Sequence, residues 1–249
     1  MKLSIASYSF HGLFYKGAID LFGYLESVKF RYQLSTADIW NNMLISMEHD
    51  YLQKVKRALD ERELSLVNIC VDGAHIWEDD ASVREEHYRK ALESLAAAEL
   101  FSAETVRIDA GGRGEDFTEE EFDLIVKRYK EYAQRAYDNG YKVGPENHWG
   151  AEVKPENMKK LCEAVDHPGF GVLLHFKNSE DRLFAPWAMH THISWETVTS
   201  NLEESLKTLA DTGYKGSWSV EHHSGEREYD ETAIQLAMIR NTLKRLGVE

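Results

Sequence analysis

With 249 residues and a net charge of −14, the chain has no room for the broad basic face on which nucleic-acid binding rests. No stretch approaches the roughly 18 consecutive apolar residues of a membrane span, and the first residues lack the apolar run of a signal peptide. The composition, 43% hydrophobic and 29% charged, supports a core without disulfide staples, so Cys70 and Cys162 read as small apolar residues of a soluble, cytoplasmic protein.

No linker divides the chain, and 1–249 reads as one domain. Short β-rich runs alternate with longer helical patterns. The first runs are 3–7, 37–40 and 64–70. Ser82-Val-Arg-Glu85 has the form of a capping box and opens a helix before the fourth run, 105–109. Thr118-Glu-Glu-Glu121 opens another. Its apolar face is Phe122, Ile125, Val126, Tyr129, Ala133 and Ala136, and Gly140 ends it. The fifth run is 142–146. Pro155 suits a first helical turn, with Met158, Leu161, Cys162 and Val165 on the buried side. The sixth run is 170–175, and one or two helical turns are expected over 181–187. The seventh run is 188–193. Ser200-Asn-Leu-Glu203 opens a helix that Gly213 closes. After the eighth run, 217–221, Asp230 opens the last helix, with Ala233, Leu236, Leu243 and Leu246 on one stripe. Strand and helix repeated eight times predict a parallel sheet closed into a TIM-type (β/α)8 barrel. No Gly-x-Gly-x-x-Gly follows the first strand, which opposes a dinucleotide fold.

In such a barrel the chemistry sits where the strands end. Glu146, His175, His192 and Glu221 stand near the ends of the last four runs, 29, 17 and 29 residues apart. Neighbouring strands lie about 4.8 Å apart, so these side chains can converge on one divalent metal ion. Any one of them alone is more often a capping or solvated residue; four on consecutive strands are a sharper pattern. Side-chain alternation agrees. If Glu221, Glu146 and His192 face inward, so do Ser217, Ser219, Gly144 and His190, while Trp218, Val220, Val143 and Ile193 face the helices. Arg107 and Asp109 share an inner face, where Arg107 either reaches substrate oxygens or makes a structural ion pair. His148 reads as a substrate contact or a loop residue. Trp40 reads as core before sugar-facing wall, His11 lies near a strand end, and His222 and His223 read as rim residues. Gly111-Gly-Arg-Gly114 reads as a flexible turn before a phosphate cradle.

Three motifs carry a resemblance: Pro145-Glu-Asn-His-Trp-Gly150, His190-Thr-His-Ile193 and Ser219-Val-Glu-His222. They resemble the xylose-isomerase-like barrels, the sugar phosphate isomerase/epimerase superfamily. Leu21-Phe-Gly-Tyr-Leu-Glu26 and Ala37-Asp-Ile-Trp40 are similar to that family's first helix and second strand, so the resemblance spans nearly the whole chain. It implies a Glu, Asp, His, Glu metal site, matched by Glu146, His192 and Glu221, with His175 where aspartate is usual. An imidazole in place of a carboxylate favours manganese, zinc, cobalt or iron over magnesium. By resemblance to the ketose 3-epimerases, Glu146 and Glu221 would act as acid and base on opposite faces of a sugar. Val198 stands where those enzymes carry an arginine, whereas Glu152 and Asn178 occupy positions that contact substrate in the family.

The implied activity is isomerase or epimerase chemistry on a keto-sugar or keto-polyol, by proton abstraction next to a carbonyl through a metal-stabilised enediolate. A lyase or dehydratase acting on a keto-polyol or keto-glycoside shares that first step. An endonuclease-like hydrolase is opposed by the charge. A non-catalytic sugar-binding barrel is motivated by His175. The expected partner is a small sugar or polyol, with no nucleic acid or membrane, and a homo-oligomer is left open.

Overall fold

Short buried runs bounded by turns become parallel strands when each is followed by a helix that covers its outer face. The computed structural model describes residues 1–112, 114–176 and 179–248. Its strands are β1 (Leu3–Ile5), β2 (Thr36–Trp40), β3 (Ser65–Val71), β4 (Thr105–Ile108), β5 (Lys142–Gly144), β6 (Val172–His175), β7 (Ala188–Ile193) and β8 (Trp218–Val220). One ladder runs β2-β3-β4-β5 and another β1-β8-β7-β6. Parallel bridges join the two at both seams: Ala6 with Asp38, and Val143 with Phe170 and Glu146 with Leu173. The strands therefore follow one another around a ring in chain order, and this is an α/β barrel. At the β5–β6 seam the backbones approach closely, since a Cβ on Gly144 would lie 1.7 Å from the Gly171 carbonyl oxygen. Glycine is required there.

The helices are α1 (His11–Tyr15), α2 (Leu21–Glu26), α3 (His49–Glu61), α4 (Ala81–Phe101), α5 (Glu119–Asp138), α6 (Pro155–Val165), α7 (Trp195–Ser200), α8 (Leu202–Ala210) and α9 (Glu228–Arg245). Outward-facing Ile39, Val143, Ile193 and Val220 are fully buried beneath them, each contributing about 1.5–3 kcal/mol. The capping box at Thr118 is present, and Pro155 opens α6 with the expected buried face.

Several helix starts differ from the sequence reading. Asp80, not Ser82, caps α4, because its carboxylate accepts the Ser82 amide. Ser194 caps α7 directly after β7, and Ser200 is the last residue of that helix, bonded back to the Glu196 carbonyl. The segment before β7 is a longer 3-10 helix, Ser179–Trp187. The last helix starts two residues before Asp230, and Ala233 faces outward while Thr232, Gln235 and Ile239 face in. These are local choices among neighbouring polar residues, and none of them moves a strand end.

Candidate metal centre

Glu146 lies two residues past β5, His175 ends β6, His192 is the penultimate residue of β7, and Glu221 follows β8. The barrel brings all four together. His175 Nδ1 is 3.1 Å from Glu146 Oε1 and 3.5 Å from Glu221 Oε2. His192 Nδ1 is 3.3 Å from Glu146 Oε1 and 3.2 Å from Glu221 Oε1. Bonds of about 2.0–2.1 Å to one tetrahedral ion would place its donors about 3.3–3.4 Å apart. Glu146, His175 and Glu221 offer ligand atoms within 4.8 Å of one another, and His192 Nδ1 faces both carboxylates, so the donor chemistry suits a divalent cation. Electrostatics agree. Burial opposes charge on both carboxylates, yet the imidazoles around them hold Glu146 and Glu221 well below the usual carboxylate range. Burial also opposes charge on His192, yet Glu221 and its other anionic neighbours hold it well above the ordinary histidine value. The site draws positive charge.

A second layer of inward residues fixes this one. Asp38 Oδ2 accepts hydrogen bonds from Ser219 Oγ at 2.7 Å and from His190 Nε2 at 2.9 Å, and lies 3.3 Å from His192 Nε2. Its other oxygen accepts from Asn68 at 2.9 Å. A carboxylate behind a histidine sets the tautomer, so that Nδ1 of His192 is left to face the centre. Asn147 holds the neighbouring strand end: its side chain accepts from the His175 amide at 2.7 Å and donates to the His175 carbonyl at 3.0 Å. Asp109 accepts the Glu146 amide at 3.1 Å. Arg107 is caged by Asp109 at 2.8 Å and Asp72 at 2.9 Å, with Nε 3.4 Å from Glu146 Oε2.

A cavity of about 580 Å³ opens over the four residues, a size suited to one small ligand. The model of the xylose isomerase-like TIM barrel family matches residues 26–242. The chain belongs to this family. Solved structures with this xylose isomerase-like fold include D-psicose 3-epimerase with D-tagatose from Clostridium cellulolyticum H10 (TM-score 0.78, 15% identity, 98% of this chain and 99% of that one). The apo form of 3-keto-D-glucoside 4-epimerase from E. coli is similar (TM-score 0.76, 14% identity, 97% and 99%). So is the probable 3-DHS dehydratase involved in petrobactin synthesis from Bacillus anthracis (TM-score 0.76, 19% identity, 97% and 99%). At these identities the likeness is one of fold. No curated protein sequence matches the chain. Among the described residues, no helix is long and apolar enough to cross a membrane.

The xylose isomerase-like barrel places the remaining candidates unequally. Arg107, His148, Trp40, Tyr8 and His223 line the cavity. His148 Nδ1 is 3.2 Å from Glu146 Oε2, and His223 Nε2 is 2.8 Å from Glu221 Oε2. Trp40 is buried, with one face to the cavity, and its Nε1 donates to Asp72 at 2.6 Å. His11 stacks on Tyr8 with ring centroids 4.5 Å apart. His222 points away into the core, where it meets Gln235 and Ser224. Asn178 and Arg113 lie outside the described residues. Sequence reasoning did not single out Asp38, Asn147 or Tyr8. The signal for Asp38 was a carboxylate inside a buried strand run, and for Asn147 its place in Glu-Asn-His.

Glu152 is buried beside the centre and does not line the cavity. One oxygen accepts the Ala110 amide at 2.8 Å, and the other has no hydrogen-bond partner among the described residues. Burial, with Asp109 adding to it, pushes its carboxyl well above the usual range. Folding then favours the proton, so Glu152 costs nothing at low pH and destabilises increasingly as pH rises above the ordinary carboxylate value. Glu152→Gln is expected to raise Tm, with a gain that grows between about pH 5 and about pH 8. Thermal melts of both proteins across that range check this; a gain independent of pH would mean that Glu152 is not held as the acid.

Proposed function

We propose that the chain is a divalent-metal-dependent isomerase or epimerase of a keto-sugar or keto-polyol, working by proton transfer at the carbon next to a carbonyl. The observation that carries this is the pair of buried carboxylates, Glu146 and Glu221, flanking His175 and His192 at the floor of one cavity. Glu146, His175, His192 and Glu221 would hold the cation, which when bound supplies electrophilic stabilisation of charge on substrate oxygen, worth several kcal/mol. The nitrogen-containing donor set suits manganese, zinc, cobalt or iron better than magnesium.

The protein's own groups do the proton work. Glu146 and Glu221 come from strands separated by two others, so they approach a bound ligand from different sides. Each is held ionised and each has an imidazole on it, His148 at 3.2 Å and His223 at 2.8 Å. One carboxylate would remove the α-proton and, now protonated, could return it to the neighbouring carbon. Return on the opposite face requires the other carboxylate to take a proton first, from water or from the imidazole beside it. Such proton transfer contributes about 10²–10⁴-fold. Tyr8 and Trp40, meeting edge to face with centroids 5.1 Å apart, form the aromatic wall against which an apolar sugar face would lie. Arg107 meets Asp72 and Asp109 through Nη1, lies with Nε 3.4 Å from Glu146 Oε2, and from the cavity wall would also reach substrate oxygens. The epimerases among the structural neighbours support this substrate class.

The test is proton NMR in deuterated water on a panel of ketohexoses and 3-ketoglucosides. Protein stripped with a chelator and reloaded with Mn²⁺, Co²⁺ or Zn²⁺ is compared with stripped protein. Deuterium at the carbon next to the carbonyl, together with the epimer or isomer, is expected only after reloading. Loss of water to an unsaturated ketone would move the assignment to the dehydratase class. Exchange that survives metal removal would sink the cation's part, and the absence of any exchange or elimination would sink the reading as a whole.

A further inference from the structure

The loop after β3 and the start of α4 assemble a second set of ligating side chains that the barrel-mouth centre does not use. His75 Nδ1 is 2.8 Å from Glu78 Oε1, and His87 Nδ1 approaches the same oxygen at 3.7 Å. One potential ligand atom from each residue lies within 4.8 Å of those of the other two. The two imidazole rings stand perpendicular, with centroids 5.6 Å apart. His75 and Glu78 come from the loop and His87 from the second turn of the helix, so the fold gathers them rather than a single short motif.

An ordinary surface ion pair accounts for His75 and Glu78. It does not account for the second imidazole. His87 Nδ1 is shielded from solvent and makes no hydrogen bond among the described residues; the Glu78 oxygen 3.7 Å away and the His75 backbone beside the ring are its polar neighbours, and a buried nitrogen so placed is stabilised when a ligand meets it. The loop is held in place independently. The amides of Ile76 and Trp77 donate to the carbonyls of Asp109 and Ala110, and Arg84 lies over the Trp77 ring with its guanidinium carbon 4.5 Å from the centroid.

We propose that His75, Glu78 and His87 form a second divalent-cation site of zinc type. Two imidazoles and one carboxylate are a zinc donor set, and three protein ligands leave one position for water or a small anion. A cavity of about 360 Å³ adjoins the cluster, walled by Trp77, Trp149 and Gly150, and provides space for that fourth ligand. The ion would pin the β3–α4 loop to α4. That loop in turn pairs with the backbone of Asp109, whose side chain accepts the Glu146 amide. The site stands on its own side chains and does not depend on the function proposed above.

The test is zinc content per chain by mass spectrometry after stripping, loading with Zn²⁺ and desalting. The set is wild type, His75→Ala/His87→Ala, Glu78→Gln and His175→Ala/His192→Ala, each checked for folding by circular dichroism. The first two variants are expected to hold one zinc fewer than wild type, and the barrel-mouth variant to keep that ion. Glu78→Gln preserves shape at a partly exposed position, so it keeps the test open should the double variant fail to fold. If the barrel mouth bound no zinc, wild type would hold one ion and the His75/His87 variant none, which still supports the site. Equal zinc in wild type and the folded His75, Glu78 and His87 variants would overturn it.

Discussion

Glu221→Gln is expected to lower solvent exchange of the substrate α-proton by about 10²–10⁴-fold with little change in the far-ultraviolet spectrum. Glutamine keeps the volume of glutamate and can still accept one hydrogen bond. It cannot serve as a base, and it removes the charge that faces His192 at 3.2 Å, His175 at 3.5 Å and His223 at 2.8 Å. The residue follows β8 at the mouth of the barrel, where the strand's own ladder is complete, so the backbone loses nothing. Metal content should fall with activity, because one of four donors has lost its charge. Glu146→Gln should be as damaging to exchange and worse for stability, because Glu146 also faces the buried Arg107. The two readouts separate the roles. Exchange lost with metal retained would make Glu221 a base that does not ligate, and undiminished exchange would remove it from the chemistry.

The parts that were legible in the sequence share one physical origin. A parallel barrel puts all its strand ends on one side, so residues that are far apart in the chain become neighbours by strand order alone. Glu146, His175, His192 and Glu221 could be brought together on that rule, without any contact being known. Period-two alternation likewise placed Ser217 and Ser219 on the inner side, where they meet Ser4 and Asp38. What stayed hidden depends on which inner residue of one strand reaches which residue across the ring. Asp38 and His190 are 152 positions apart, and strand order alone does not say that their side chains touch. Glu152 shows the same limit in another form. The family resemblance implied a substrate contact there, whereas its burial against the Ala110 amide depends on how one loop folds over another. Helix starts shifted for a smaller reason: Asp80 and Ser82 are both competent caps for α4, and the helix expected from Ser200 begins at Leu202, after a separate short helix that Ser194 caps.

The rule that orders the strand ends says nothing about what holds a ligand still, and Asp38 is where that matters most. It is fully buried and surrounded on both carboxylate oxygens by His190, His192, Ser219 and Asn68. Burial alone would raise its pKa, but His190 and His192 outweigh this and hold it well below the usual carboxylate range. A buried anion of this kind is tied to its cationic partner, and removing one member leaves the other unpaired, at a cost of about 3–5 kcal/mol. Asp38→Ala is therefore expected to lose about that much stability in urea unfolding. Asp38→Asn should lose less, since an amide oxygen still accepts from Ser219 or Asn68. It would, however, no longer offer an anion to His192 Nε2, and the ring would lose the partner that leaves Nδ1 facing Glu146 and Glu221. Losing such a partner typically weakens metal binding by about 10–100-fold. Competition titration with a chelating dye measures this in a variant that remains folded. An Asp38→Asn protein that binds metal as tightly as wild type would show that His192 is aligned by packing alone, and that the inner layer serves stability and not the site.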